Sequence, residues 1–315
     1  MSQQASSQPE GPPYFPTGTS IVGGHPNLHV DVPILAVLLT CYLGGAIANM
    51  TILQLNRKRN HWFPMTGALF GFCMSRIATC ALRISWAADP LNTNLAIATT
   101  IFQAIGVLIV FVILVVIAQR MLRATHPELG WSKGLNGCLE ASFVGLFIAI
   151  VLTVAFTVYN FFTLDAYLKT VALWVQRAGL LYFLLFTLIA PILILLSVIL
   201  PTPKDHRAPE TFGTGSLTTK YVVHGVAMFF AIFIVGFRMG TIWADPRPET
   251  DPAWWDAKAA FYVIEFAFEI IIVYWLIWMR FDQKFWVPNK SKGPGDYSRI
   301  GSFYSPHDRL VKGEA

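Results

Sequence analysis

The sequence predicts an all-α, polytopic membrane protein of seven transmembrane helices. Three observations carry this. Only 13% of the 315 residues are charged, against about 25% in an ordinary soluble domain. Four runs, 32–55, 90–119, 141–164 and 178–200, contain no Asp, Glu, Lys or Arg. Each reaches the roughly 20 residues that cross a bilayer's hydrocarbon core. Three further segments, 64–87, 220–243 and 257–280, are apolar with isolated charges. The ~10-residue alternation of a barrel strand is absent, so the spans read as helices.

The elements follow in chain order. Residues 1–30, rich in Ser, Gln, Pro and Gly, predict a disordered tail. No basic n-region leads into a short apolar core there, so span 1 (32–55) is expected to act as an uncleaved signal-anchor. Span 2 (64–87) ends Arg83-Ile-Ser-Trp86-Ala-Ala-Asp89-Pro90. Spans 3 (90–119), 4 (141–164) and 5 (178–200) follow, the last just after Arg177. The longest connection is PTPKDHRAPETFGTGSLTTK (201–220). Span 6 (220–243) ends Arg238-Met-Gly-Thr-Ile-Trp243-Ala-Asp245-Pro246, much as span 2 does. Both spans also carry a GxxxG, Gly67 to Gly71 and Gly236 to Gly240, which permits close helix packing. A 3+1+3 parallel repeat would make them equivalent. Shared boundary chemistry gives the same likeness: an Arg that snorkels, a Trp at the interface and an Asp-Pro that ends the helix. Span 7 (257–280) runs into RFDQKFWVPN, where Phe285 and Trp286 read as an interfacial anchor. The chain thus divides into a tail (1–30), one seven-span domain (31–280) and a second tail (281–315).

Lys and Arg set the orientation. With the N-terminus outside, sixteen of them fall in cytosolic loops and the C-terminal tail, against Lys169, Arg247 and Lys258 on the other side. The prediction is N-out and C-in. The net charge of +5 then reflects positive-inside topology and attraction to anionic lipid rather than nucleic-acid binding. Cys41, Cys73, Cys80 and Cys138 all lie in or at the edge of spans, with no CxxC. They read as small core residues.

Charges within spans are the informative feature, because a charge in hydrocarbon needs a partner and marks a functional hypothesis. They are Arg76 and Arg83 in span 2, Arg238 in span 6, and Glu265 and Glu269 in span 7. Arg76 and Arg83 share a helix face, as do Glu265 and Glu269. At about 1.5 Å per residue, Arg76 and Glu269 both sit roughly 18 Å into their spans, near mid-membrane. Two unpaired carboxylates one turn apart would not both stay ionised. Arg76 is therefore the expected partner of Glu269, and Arg83 or Arg238 that of Glu265. Spans 2, 6 and 7 should pack together. Three arginines meet only two glutamates, and surplus guanidinium suits a phosphate, a carboxylate or a lipid headgroup. Tyr262, Trp86 and Trp243 complete the candidate ligand-binding set. Structural ion pairs that fix helix register are the competing account.

Other signals are weaker. His25, His29 and Asp31 in HPNLHVD could approach a metal but lack a fourth ligand, and an ordinary pre-span cap is the simpler reading; no metal or cofactor is expected. His224 reads as a packed, hydrogen-bonded residue. No Walker A, HExxH or GxSxG is present, and no span core carries a lysine for retinal. Span 3 ends Ala118-Gln119-Arg120-Met121 and span 7 has no proline, unlike rhodopsin-like receptors.

Several phrases, HPNLHVDVPI, MTILQLNRKRNHWF, FGFCMSRI, RATHPELGW, FYVIEFAFEIIIV and RFDQKFWVPN, resemble a family of fungal seven-span membrane proteins catalogued as a domain of unknown function. The resemblance covers roughly residues 25–290 and implies a fungal integral membrane protein, with no activity to carry over. Arg238 and Tyr262-Val-Ile-Glu265 are also similar to the span-6 arginine and span-7 Tyr-x-x-acid motif of the fungal lipid-translocating exporter family. That family's second Arg followed by Glu in span 6 is missing here.

The leading functional expectation is binding or transport of a lipid or small amphiphile, with membrane lipids and an anionic or amphiphilic small molecule as partners. A divergent seven-span receptor with a signalling tail is one alternative. The other is a membrane-embedded enzyme such as a terpene cyclase, with Glu265 or Glu269 as acid.

Overall fold

The computed structural model describes residues 11–14, 18–59, 61–201, 210–289 and 291–298. Seven helices are long and apolar enough to cross a membrane: α1 (Asp31–Lys58), α2 (Pro64–Ala88), α3 (Thr93–Thr125), α4 (Lys133–Asn160), α5 (Ala166–Ile199), α6 (Leu217–Trp243) and α7 (Lys258–Trp278). Among the described residues there is no strand, only an isolated bridge between Thr19 and Pro248. The helices overrun the charge-free cores read from sequence, because Arg123, Lys133 and Lys169 lie within terminal turns where long cations reach outward.

Local chemistry explains the helix starts. Asn92, Ser132, Asp165 and Ser216 each cap a helix by accepting from a backbone N–H of its first turn. Pro64 occupies the first turn of α2, where its missing N–H costs nothing.

The helices differ in what they face. The second half of α3, Leu108–Thr125, is buried nearly all round and forms the centre of the bundle. It packs against α5, α6 and α2. By contrast α4 buries only Leu139, Leu146 and Thr153. It packs mainly on α5 and leaves Val144, Phe147, Ile148 and Val151 to the lipid side. Around the rest, α1 packs on α2 and α7, α5 on α6, and α6 on α7. The expected meeting of spans 2, 6 and 7 takes a particular form: α7 lies directly on α6 and α1, and α2 reaches it through long side chains. Of the GxxxG glycines, Gly67 faces α1, where a Cβ would lie 3.4 Å from Leu53 Cδ2. A Cβ at Gly71, Gly236 or Gly240 would meet nothing within 4 Å.

Two helices are irregular. α3 is interrupted at Val107, after Gly106. A Cβ on Gly106 would lie 2.5 Å from Ser75 Oγ and 3.3 Å from Arg76 Cζ, so only glycine lets α3 come this near α2. Before the break, Thr93–Gly106 packs on α2 and α4; beyond it, the chain packs on α5. A space remains between the first half of α3 and α5–α6. In α7, Tyr262–Ala267 is a π-helical turn, a wider coil that often accompanies a functional site.

Segments outside the helices close both ends. Residues 18–24 run over the end where α2, α4 and α6 finish. Ser20 N–H donates to Arg247 C=O (2.8 Å) and Gly23 N–H to Asp256 C=O (3.1 Å). Gly23 has φ +79°, and a Cβ there would strike the Phe261 ring at 2.6 Å. At the opposite end, residues 281–298 fold back. Asn56 donates to Asp282 (3.0 Å), Arg120 to Phe285 C=O (2.8 Å), and Tyr297 packs against Trp131 and Phe212.

Candidate functional site

The intramembrane charges form two bonded groups, one of Arg76, Glu269, Arg238 and Glu265 and one of Arg83 and Asp31. Arg76 holds Glu269 by two parallel bonds, Nε to Oε2 at 2.6 Å and Nη2 to Oε1 at 2.5 Å. Neither side chain has exposed surface. The third Arg76 nitrogen, Nη1, donates to Gln103 C=O (3.1 Å), and the Tyr42 hydroxyl lies 3.1 Å from Glu269 Oε2. The guanidinium sits between the Phe72 and Phe266 rings, at 5.5 and 5.7 Å. Depth matching from sequence thus placed these partners together, one on α2 and one on α7.

Of the two candidates for Glu265, Arg238 is the partner, its Nη2 donating to Oε2 at 3.0 Å. The same Nη2 reaches Gln103 C=O (3.1 Å), and Nη1 reaches Ala104 C=O (3.5 Å). Gln103 Nε2 also donates to Glu265 at 2.5 Å. The break in α3 explains these bonds. An unbroken helix would turn the carbonyls of Gln103 and Ala104 onto the N–H groups four residues on. Here they face arginines, as carbonyls at a helix C-terminal end favour cations.

Arg83 has a different environment. Its Nε donates to the Tyr262 hydroxyl (3.1 Å), and its Nη2 to Gly23 C=O (2.9 Å) and Gly24 C=O (3.3 Å). Its nearest carboxylate is Asp31, at 4.0 Å. Asp31 has no exposed surface and is mostly engaged elsewhere: Lys258 contacts Oδ2, Tyr262 donates to Oδ1 at 2.5 Å, and Asn27 N–H donates at 2.7 Å. The sequence treated Asp31 as a cap. It is a third buried carboxylate, grouped with Arg83, Lys258 and Tyr262.

A cavity of about 420 Å³ opens beside these groups. Arg83, Trp86, Gln103, Arg238 and Glu265 form its polar wall, and Ser20–Val22 lie across it. Val107, Leu108, Phe111, Leu180, Phe183 and Val235 also line it. At about 1.5 Å per residue, Arg83 and Arg238 lie about 8 Å from the ends of their helices, whereas Val107 and Phe111 lie more than about 20 Å into α3. The cavity is therefore polar near its mouth and apolar at its floor.

Of the eight candidate residues, Arg83, Trp86, Arg238 and Glu265 line the cavity. Arg76 and Glu269 are sealed away from it. Tyr262 stands behind Arg83. Trp243 sits at the rim, stacked edge-on with Trp174 (5.9 Å), with Arg177 over both rings. Neither glutamate floors an apolar pocket alone, which is what a cyclase acid would need. Among the described residues no group of three or more His, Cys, Asp or Glu is placed to hold a metal ion. His25 lies 3.5 Å from Glu249 instead, and His224 bonds Leu114 C=O at 3.0 Å.

Sequence reading missed three members. Asp31, at a span boundary, looked like a capping residue; the excess of arginine over glutamate was the signal that a third carboxylate existed. Gln103 lies in a charge-free run and carries no formal charge. Tyr42 is one aromatic residue among many. Compared with protein-family models, curated proteins and solved structures, the chain matches none.

Proposed function

We propose that this multi-pass membrane protein binds, and carries across or within its membrane, a lipid or small amphiphile held in the cavity between α2, α3, α4, α5 and α6. One observation carries the reading: the cavity has a charged wall near its mouth and an apolar floor near mid-membrane. Pockets of roughly 300–1,000 Å³ with mostly apolar walls and a few convergent polar groups are where small ligands bind, and about 420 Å³ falls in that range. The interrupted α3 supports transport in particular. Broken helices with exposed carbonyls near the midplane recur where transporters bind substrate. In this reading the N-terminus and the cavity mouth face away from the cytosol, and membrane lipids are the source of ligand. The Arg76–Glu269 pair fixes the register of α2 and α7 beneath the site.

Protein purified in a mild detergent and examined by native mass spectrometry tests this. Wild type should retain a lipid or amphiphile as added mass. Val235→Trp, which fills the floor, should lose it while keeping its size-exclusion profile. Equal ligand retention in both proteins would place binding elsewhere. No retained or added amphiphile in wild type would end the proposal.

A further inference from the structure

The geometry points to a narrower ligand class: a single-chain amphiphile with an oxyanion head, carboxylate or phosphate monoester, whose head is held by Arg83. This rests on the reading of the cavity as an amphiphile site.

The first ground is charge. The two groups together contain four cations, Arg76, Arg83, Arg238 and Lys258, against three carboxylates, Asp31, Glu265 and Glu269. Arg76 and Arg238 each hold a glutamate within 3.0 Å. Asp31 is bonded to Lys258 and Tyr262. Arg83 is left with a carboxylate only at 4.0 Å, and its direct bonds go to neutral oxygens, those of Tyr262, Gly23 and Gly24. Its side chain is 3% exposed. A buried charge without a direct ionic partner is costly, and guanidinium is the side chain best shaped to take a carboxylate or phosphate through paired bonds. Arg83 lines the cavity, so an oxyanion there would meet the one arginine not already spent on a carboxylate.

The second ground is size. At about 420 Å³ the cavity lies toward the lower end of pockets for drug-sized ligands. Helices close its floor at Leu108, Phe111 and Phe183. One chain fits below the head; the two chains of a phospholipid do not.

The test is displacement of radiolabelled dodecyl phosphate from amphipol-held full-length protein. The competitors are dodecanoate, dodecyltrimethylammonium, dodecyl maltoside, a two-chain phosphatidic acid and inorganic phosphate. Dodecyl phosphate and dodecanoate should bind at least about tenfold tighter than the cationic and neutral amphiphiles, as one charge-assisted contact allows. Phosphatidic acid and inorganic phosphate should compete poorly. Arg83→Gln should lose the preference for anions while neutral amphiphile binding stays; Arg83→Lys, which keeps the charge, should retain part of it. Equal binding of dodecyl maltoside to wild type would overturn the anionic class yet leave the amphiphile reading standing. Equal competition by phosphatidic acid would overturn the single chain. Equal competition by inorganic phosphate would mark a free-anion site and overturn the proposal. If no amphiphile binds, both readings fall. The wild-type comparison needs no variant, so a misfolded Arg83→Gln would not rescue the idea.

Discussion

Arg76 has no exposed surface, yet each of its polar sides meets a partner: Glu269 through two donors, Gln103 C=O through a third, and aromatic rings on the faces. Such a residue shows what a buried ion pair does and does not do. Taking both charges out of the bilayer's polar surroundings is costly, so the pair adds little net stability. Breaking it is another matter, because Glu269 would then be buried without a cation, left with the Tyr42 hydroxyl. Arg76→Met should therefore destabilise the protein by about 3–5 kcal/mol, and Arg76→Met with Glu269→Leu should recover most of that loss. Thermal unfolding of the detergent-solubilised variants gives the comparison. A single variant as stable as wild type, or a double no better than the single, would remove the pair from its structural role. The pairing itself was legible in the sequence, because helical rise converts residue number into depth and a bilayer allows few partners at a given depth.

At the scale of elements, the break in α3 does the most. It turns two backbone carbonyls toward Arg76 and Arg238, and it separates the first half of the helix from α5 and α6 so that a cavity can exist. Nothing in the sequence of span 3 announces it. The run is apolar on both sides of Gly106-Val107, so hydrophobic periodicity passes through unchanged, and a lone glycine in a membrane helix is common. The π-turn at Tyr262–Ala267 was hidden for the same reason: one extra residue per turn leaves no mark where every face is apolar. The reason for glycine at 106 appears only in the tertiary structure, where its missing Cβ leaves room for Ser75 and Arg76. Gly106→Ala should therefore cost about 1–3 kcal/mol through overpacking and weaken amphiphile binding. Ser75→Ala, which removes the nearer atom, should restore part of both. Unfolding and binding measured on the single and double variants decide this. Additive losses with no recovery would mean that the contact with α2 is not what glycine serves.

For the whole molecule, seven spans and their order were readable because crossing a bilayer demands length and apolarity that sequence displays directly. What composition could not reveal was which residues the ends of the bundle gather. Asp31 from the start of α1 and the carbonyls of residues 23 and 24 meet Arg83, and Lys258 from the start of α7 meets Asp31, only because the chain folds them to one end. That end also holds the charged wall of the cavity, so under the proposed function the side of the membrane it faces decides where ligand would enter. The distribution of Lys and Arg predicts that it faces away from the cytosol. Cysteine labelling can settle this. Cys73 and Cys80 have no exposed surface, so replacing Cys41 and Cys138 with serine leaves a quiet background. Asp251 lies exposed in the α6–α7 connection beside the mouth, and Lys133 lies exposed at the start of α4 at the opposite end. In sealed vesicles with the cytosolic face outward, a membrane-impermeant maleimide should label Lys133→Cys at once and Asp251→Cys only after the vesicles are opened. The reverse pattern would put the mouth, Arg83 and any bound head on the cytosolic face, and would make the protein's ligand one that enters from inside the cell.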